Sequence, residues 1–233
     1  VELSGGRTTT KLRVLAGQAH STRQQVIRVD YEGAPLDPSD ALHDELSARL
    51  RDAARDADAY IISDYNYGVA GERERETLRE TAAARGRPVL VDSRFRLTDF
   101  KGFASATPNE DEVEQLVGRR LDSRAALERA AAELRERLGY PSLLITRGHE
   151  GMLLLEEGAE PLHLGAVGAR EAVDVTGAGD TVIATYALAL ASGASFADAA
   201  RLANHAGGLV VMKRGTASVT PRELLDSLSA VSH

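Results

Sequence analysis

The sequence predicts an α/β fold, a mostly parallel sheet flanked by helices, and two observations carry that expectation. Tyr60–Asp64 is a short apolar strand, Glu72–Arg85 has helical composition, and Pro88–Asp92 is a buried strand. This strand–helix–strand rhythm is that of parallel α/β units. Late in the chain, Gly177-Ala178-Gly179 runs directly into the apolar, alanine-rich segment Val182–Ala191, a tight turn feeding a buried helix. In open sheets of this kind ligands lie beyond the carboxyl ends of the strands, which is where Asp64 and Asp92 fall.

The 233 residues suit a single domain with a sizeable core, and no repeat, low-complexity tract or long linker marks a second. A net charge of −7 argues against a nucleic-acid surface, which needs a basic patch, so any anion site is local. Without cysteine there is neither a disulfide framework nor a thiolate metal site, consistent with a cytoplasmic location. No stretch reads as a secretory signal, and the longest apolar run is too short to cross a bilayer.

Taken in order, Thr8–Leu15 and Gln24–Tyr31 alternate polar and apolar residues as half-buried strands do, with Ala16–Arg23 as the turn of a hairpin spanning residues 8–31. Lys11, Arg13 and Arg28 fall on its polar sides, where water or an anionic substrate would meet them. The spacing of Leu42, Leu46 and Leu50 predicts a helix over Pro38–Ala57. After Phe103–Ala106, a short strand, Thr107-Pro108-Asn109 opens a helix in which Asn109 and Glu112 form a capping box. Asp122–Leu138 reads as an amphipathic helix and Ser142–Thr146 as a strand running into the turn Arg147-Gly148-His149. Met152–Leu155 and Pro161–Gly165 are two further strands. Ser195 and Thr220 each start a capped helix, the first reaching roughly Met212 and placing His205 as a packed residue.

Gly177-Ala178-Gly179 at a helix start offers unpaired N–H groups and the positive end of the helix dipole, a ready site for phosphate oxygens. Asp180 falls in the first turn beside it. It serves there either as a capping charge or as a general base for a hydroxyl attacking a phosphoryl group.

The string Asp174-Val175-Thr176-Gly177-Ala178-Gly179-Asp180-Thr181 resembles the C-terminal signature of the ribokinase-like (PfkB-type) carbohydrate kinases. The resemblance implies a three-layer ribokinase-like fold, Asp180 as catalytic base and the Gly177, Ala178 and Gly179 amides as an anion hole. Asn109 and Glu112 are similar to the family's Asn-x-x-Glu motif, which holds Mg²⁺ and phosphate largely through water. Thr146, Arg147 and Gly148 resemble its Thr-x-Gly nucleotide contact, leaving Arg147 to approach phosphate. With them go Asp174 and Thr176, and the adenine wall places Asn204, Gly215 and Thr216 at the nucleotide. ATP and Mg²⁺ are the implied cofactors.

Further matches at Thr9–Leu15, Gln24–Asp30, Ser63-Asp64-Tyr65 with Gly68, and Thr107-Pro108-Asn109 are similar to the kinase domain of bifunctional heptose-phosphate kinase/adenylyltransferases. They imply phosphorylation of the anomeric hydroxyl of heptose 7-phosphate, with Lys11, Arg13, Arg28 and Asp64 meeting the sugar phosphate and the 8–31 hairpin on the lid or substrate side. Rival readings are a kinase for another sugar or nucleoside, and a nucleotide-binding module without catalysis. An oxidoreductase is disfavoured because the glycine motif lies late in the chain. About a third of an ordinary member, including the first strands and much of the sugar floor, is expected to be missing, as is the adenylyltransferase domain. Gly5-Gly6 does not replace the sugar-gripping segment. The absent N-terminal part is then a natural partner, a homodimer is compatible, and the chain alone is expected to bind ATP weakly and to phosphorylate sugar poorly. Where relatives read Asp-Pro-Lys, this chain has Asp92-Ser93-Arg94.

Overall fold

A computed structural model describes residues 1, 8–17, 24–37, 41–168 and 172–231. Gly5-Gly6, most of the hairpin turn and Pro38 lie outside the described residues.

Strands β3 (Tyr60–Asp64), β4 (Val89–Ser93) and β5 (Ser105–Ala106) form a parallel sheet in that order. Strands β6 (Ser142–Thr146), β7 (Met152–Glu156) and β8 (Leu162–Leu164) form an antiparallel one. A parallel bridge between Asn109 and Thr146, with the Thr146 amide donating to the Pro108 carbonyl at 3.0 Å, joins the two edge to edge. The expectation of a mostly parallel sheet therefore holds for one half. The other half is the tight β6–β7–β8 meander that the glycine turns at 148–151 and 158 allow.

Alternation along the strands separates two cores. Val89, Val91, Leu143, Ile145, Leu153 and Leu155 face one layer, where helices α1 (Leu42–Ala53), α2 (Glu72–Arg85), α3 (Glu110–Val117) and α4 (Arg124–Leu138) lie. Leu90, Leu144, Met152 and Leu154 face the other, against α5 (Ala178–Ala191) and α6 (Phe196–Val210). Helix α7 (Pro221–Val231) packs on α6, where the buried His205 meets the Ser227 hydroxyl at 2.9 Å. This is the three-layer arrangement that opposed apolar strand faces require.

The termini of the elements follow local chemistry. Helix α1 stops at Ala53, short of Ala57, because the Tyr60 hydroxyl donates to the Ala54 carbonyl at 2.8 Å and the chain turns there into β3. Asn109 and Glu112 close a reciprocal capping box on α3, each accepting the other's backbone N–H, at 2.8 and 2.9 Å. Thr220 and Glu223 do the same on α7. Strand β4 begins at Val89, one residue later than predicted, and β5 keeps only Ser105 and Ala106 of Phe103–Ala106.

The hairpin forms from β1 (Thr10–Ala16) and β2 (Gln24–Tyr31), paired antiparallel with a register shift after Val14. Both of its faces meet solvent: Arg13 and Arg28 are exposed, as expected of the polar side. Leu12, Val14 and Ile27 are exposed, while Lys11 and Asp30 are half-buried against the domain. Lys11 is held at this side by polar partners, reaching the Tyr67 hydroxyl and the exposed Glu32. Gly68 (φ +84°) makes this junction, since a Cβ there would stand 2.3 Å from the Leu36 carbonyl oxygen.

Candidate functional site

The Gly-Ala-Gly turn is built as its sequence requires. Gly177 adopts φ +77°, the left-handed region open to glycine, and caps α5. The first helical bond runs from the Thr181 amide to the Gly177 carbonyl at 3.0 Å. A side chain on Gly177 would stand 4.0 Å from both Asp180 Oδ2 and the Thr216 methyl, so the carboxylate leans over the turn. Among the described residues, no protein acceptor meets the amides of Gly177, Gly179 or Asp180. The Ala178 amide departs from the expected three-amide anion hole, because it donates to the Val175 carbonyl at 3.2 Å. Closing that turn is what aims its neighbours outward.

Asp174 holds the turn to the segment after α6. Its Oδ1 accepts the Thr176 amide and its Oδ2 the Gly215 amide, both at 2.9 Å. These bonds keep its pKa below the ordinary carboxylate range, the Thr176 amide contributing most. Predicted as a nucleotide contact, Asp174 has both oxygens committed and acts as a staple that positions Thr176, Gly215 and Thr216.

Two cavities lie near Asp180. One, of about 240 Å³ and mostly apolar, is lined by Thr146, Gly148, Ala178, Gly179 and Asn204 together with Gly208. Asn204 is buried and its amide nitrogen donates to the Gly165 carbonyl at 2.7 Å, which fixes the cavity's floor. His149 of the turn after β6 is exposed and also lines this cavity. The second cavity, about 420 Å³, lies between the hairpin and the carboxyl ends of β3 and β4, lined by Lys11, Arg28, Tyr65, Asn66, Arg94 and Phe95 among others. The exposed Asp180 adjoins the first through its neighbour Gly179, and its charge acts on Tyr65 of the second. Partial burial, followed by the charges of Asp180 and Asp92, raises the Tyr65 pKa.

Asp92 completes an acidic group with Asp180, Glu112 and Asp64. Burial first, then the charges of Glu112, Asp180 and Asp64, push its pKa up to about 6. Burial likewise raises that of Glu112, against the Asn109 amide and the Arg94 charge, which favour its ionised form. Among the described residues no three Asp, Glu or His side chains converge to hold a metal by themselves. The sequence placed Asp92 at the ligand edge without giving it a role; the signal was its position as the last apolar-strand residue before a turn.

Four predicted contacts are otherwise engaged. Asp64 is 4% exposed and accepts from Ser93 Oγ (2.9 Å), Arg96 Nη2 (3.0 Å), Arg96 Nε (3.3 Å) and the Asn66 amide (3.1 Å). A carboxylate so occupied has no capacity left for sugar hydroxyls and orders the loops around it instead. Arg147, expected to approach phosphate, pairs with Glu110 at 3.0 Å and Glu150 at 2.5 Å, facing away from the apolar cavity. Lys11 and Arg28 do line the second cavity, but Lys11 pairs with Asp30 and Glu32 and Arg28 with Asp30. Arg13 is exposed and lends its charge to Asp174 instead.

Residues 4–223 match the model of the pfkB family of carbohydrate kinases. The chain belongs to the pfkB family. The bifunctional protein HldE of Aeromonas hydrophila is 42% identical over 231 residues, covering 98% of this chain and 46% of that protein. The chain thus spans about half the length of such curated relatives. Among solved structures, phosphofructokinase-2 from Escherichia coli in complex with potassium superposes with a TM-score of 0.73 at 20% identity, over 89% of this chain and 67% of that one. Ribokinase of Arabidopsis thaliana complexed with ribose and ATP gives 0.68 at 20% identity, over 93% and 68%. These likenesses establish the ribokinase-like fold for this pfkB-family chain. No helix among its described residues is long and apolar enough to cross a membrane.

Proposed function

We propose that the chain is the kinase part of an enzyme that transfers the γ-phosphoryl group of ATP to the anomeric hydroxyl of D-glycero-D-manno-heptose 7-phosphate, giving the 1,7-bisphosphate. The observation that carries this reading is Asp180 leaning over a helix mouth with unmet amides, next to the apolar cavity that Gly179 lines. The 42% identity to a bifunctional HldE protein supports the heptose assignment.

In this reading the adenine occupies the slot beside Asn204 and Gly208, and the terminal phosphates reach the Gly177 and Gly179 amides. Asp180 takes the proton from the sugar hydroxyl as its oxygen forms the new bond to γ-phosphorus. The bond to the bridging oxygen breaks in line, and ADP departs with that electron pair. The amides hold the equatorial oxygens as charge develops on them, and positioning with preorganised electrostatics supplies most of the rate. The oxygen-only set of Glu112, Asp92 and Asp180 suits a hard divalent cation. With no three-carboxylate cage, it fits Mg²⁺ held through water and nucleotide oxygens rather than by protein alone. Mg²⁺ would neutralise the polyphosphate when bound, with Glu112 and Asn109 ordering its waters.

The test is ³¹P NMR of the chain with ATP, Mg²⁺ and heptose 7-phosphate, beside unphosphorylated hexoses and nucleosides. Appearance of an anomeric phosphate from the heptose alone supports the reading. Turnover of another acceptor in its place would reassign the substrate, and no turnover of any acceptor would leave the kinase proposal without support.

A further inference from the structure

Resting on that kinase reading, we infer that Arg94 is the specificity-determining residue that selects a phosphorylated sugar, its guanidinium binding the phosphate that the substrate already carries.

Charge accounting in the polar cavity points to it. The cavity is lined by three cations, Lys11, Arg28 and Arg94, and two carboxylates, Asp30 and Glu32. Lys11 lies 3.4 Å from Asp30 and 3.3 Å from Glu32, and Arg28 lies 2.9 Å from Asp30, so these four charges cancel. Among the described residues, Arg94 forms no ion pair: its charge acts on Glu112 only at longer range, and the Phe95 ring lies 5.4 Å from the guanidinium carbon. The cavity's own lining thus leaves one positive charge without a directly paired carboxylate, and that charge has the planar fork suited to bidentate phosphate recognition.

The backbone that carries Arg94 is fixed on both sides. The buried Asp64 carboxylate accepts from Ser93 before it and from Arg96 after it, the Arg96 amide donates to Ser93 Oγ at 3.2 Å, and the Arg94 amide donates to the Asp64 carbonyl at 3.4 Å. The loop is pinned while the side chain at its tip stays exposed, together with Phe95 at 59% exposure. This is the pattern of a preorganised ligand contact rather than of a surface arginine on a free loop. The apolar nucleotide cavity shares no lining residue with the Arg94 cavity; Asp180 follows Gly179 of the first, and its charge acts on Tyr65 of the second. A sugar whose reacting hydroxyl meets Asp180 therefore extends its far end towards Arg94. The cavity's volume of about 420 Å³ falls in the range of small-molecule sites.

The experiment is calorimetric titration of the full chain and of Arg94→Ala, Arg94→Gln and Arg94→Lys with heptose 7-phosphate, the same heptose without phosphate, and ATP. The expected result is a loss of about tenfold or more for heptose 7-phosphate in the first two variants, with partial recovery in Arg94→Lys. Affinity for the unphosphorylated heptose and for ATP should stay within about twofold. Equal loss for both sugars, a loss confined to ATP, no change, or no binding of heptose 7-phosphate by the unaltered chain overturns the assignment. Because binding is read without turnover, an inactive chain that shows the Arg94-dependent difference fails the kinase reading alone, and an active one without it fails only this inference.

Discussion

Asp180, Asp92 and Asp64 are three carboxylates of like chemistry whose surroundings give them different work. Asp64, its oxygens filled by Arg96, Ser93 and a backbone amide, is structural; Asp180, exposed over an amide turn, is free to accept a proton. Asp92 lies between, half-buried and held towards its neutral form. A carboxyl raised in the folded state from its ordinary value to about 6 binds more protons folded than unfolded, so stability falls as pH rises through that window. Asp92→Asn should therefore flatten that part of the pH–stability curve and stabilise the ligand-free chain by up to about 3 kcal/mol above pH 7, by urea denaturation. An unchanged slope between pH 4 and 6 would contradict the assigned burial. Sequence made the glycine turn and Asp180 legible, because φ > 0 and a helix start are local properties. It could not reveal that Asp64, Arg147 and Lys11 are already paired, because their partners are remote in sequence: Arg96, Glu110 and Glu32.

Most elements could be read from periodicity and capping, since these signals lie within a few residues. The Asn109–Glu112 box, the Ser123 cap of α4 and the Ser195 cap of α6 all use side chains that meet an amide three residues on. Periodicity missed what depends on the far side of an element, such as the exposure of the hairpin's apolar Leu12, Val14 and Ile27. The staple from Asp174 to Gly215 likewise spans 41 residues, and no local pattern announces it. Its removal gives an element-scale test. Asp174→Ala frees the 213–216 segment from the turn and strips partners from two amides, so ATP affinity should fall about tenfold or more, with global stability lower by about 1–3 kcal/mol. Nucleotide titration and thermal unfolding measure the two effects separately. ATP affinity equal to that of the unaltered chain would show that the two loops hold their places without it.

At the scale of the molecule, alternation along β4 and β6 divides the interior, with Leu90 and Leu144 on one side and Val91 and Ile145 on the other. Both faces are closed at these central strands, and Leu144→Ala should cost about 2–5 kcal/mol in denaturant unfolding. Strand β3 differs: among the described residues it pairs with β4 alone, and its Ile61 is 41% exposed on the face where α5 and α6 cover the neighbouring strands. An open strand edge with an apolar residue on it invites association. Ile61→Lys should lower light scattering of the concentrated chain without lowering its unfolding midpoint, and unchanged scattering would remove that edge as the cause.

The central claim is that one acid at a glycine-lined helix start takes the proton of the attacking hydroxyl. Its most direct test is Asp180→Asn, measured for kcat with heptose 7-phosphate and for ATP affinity by titration. The account predicts kcat lower by at least about a hundredfold, the usual scale of general-base catalysis, with ATP affinity within about threefold. Full kcat in that variant would contradict it.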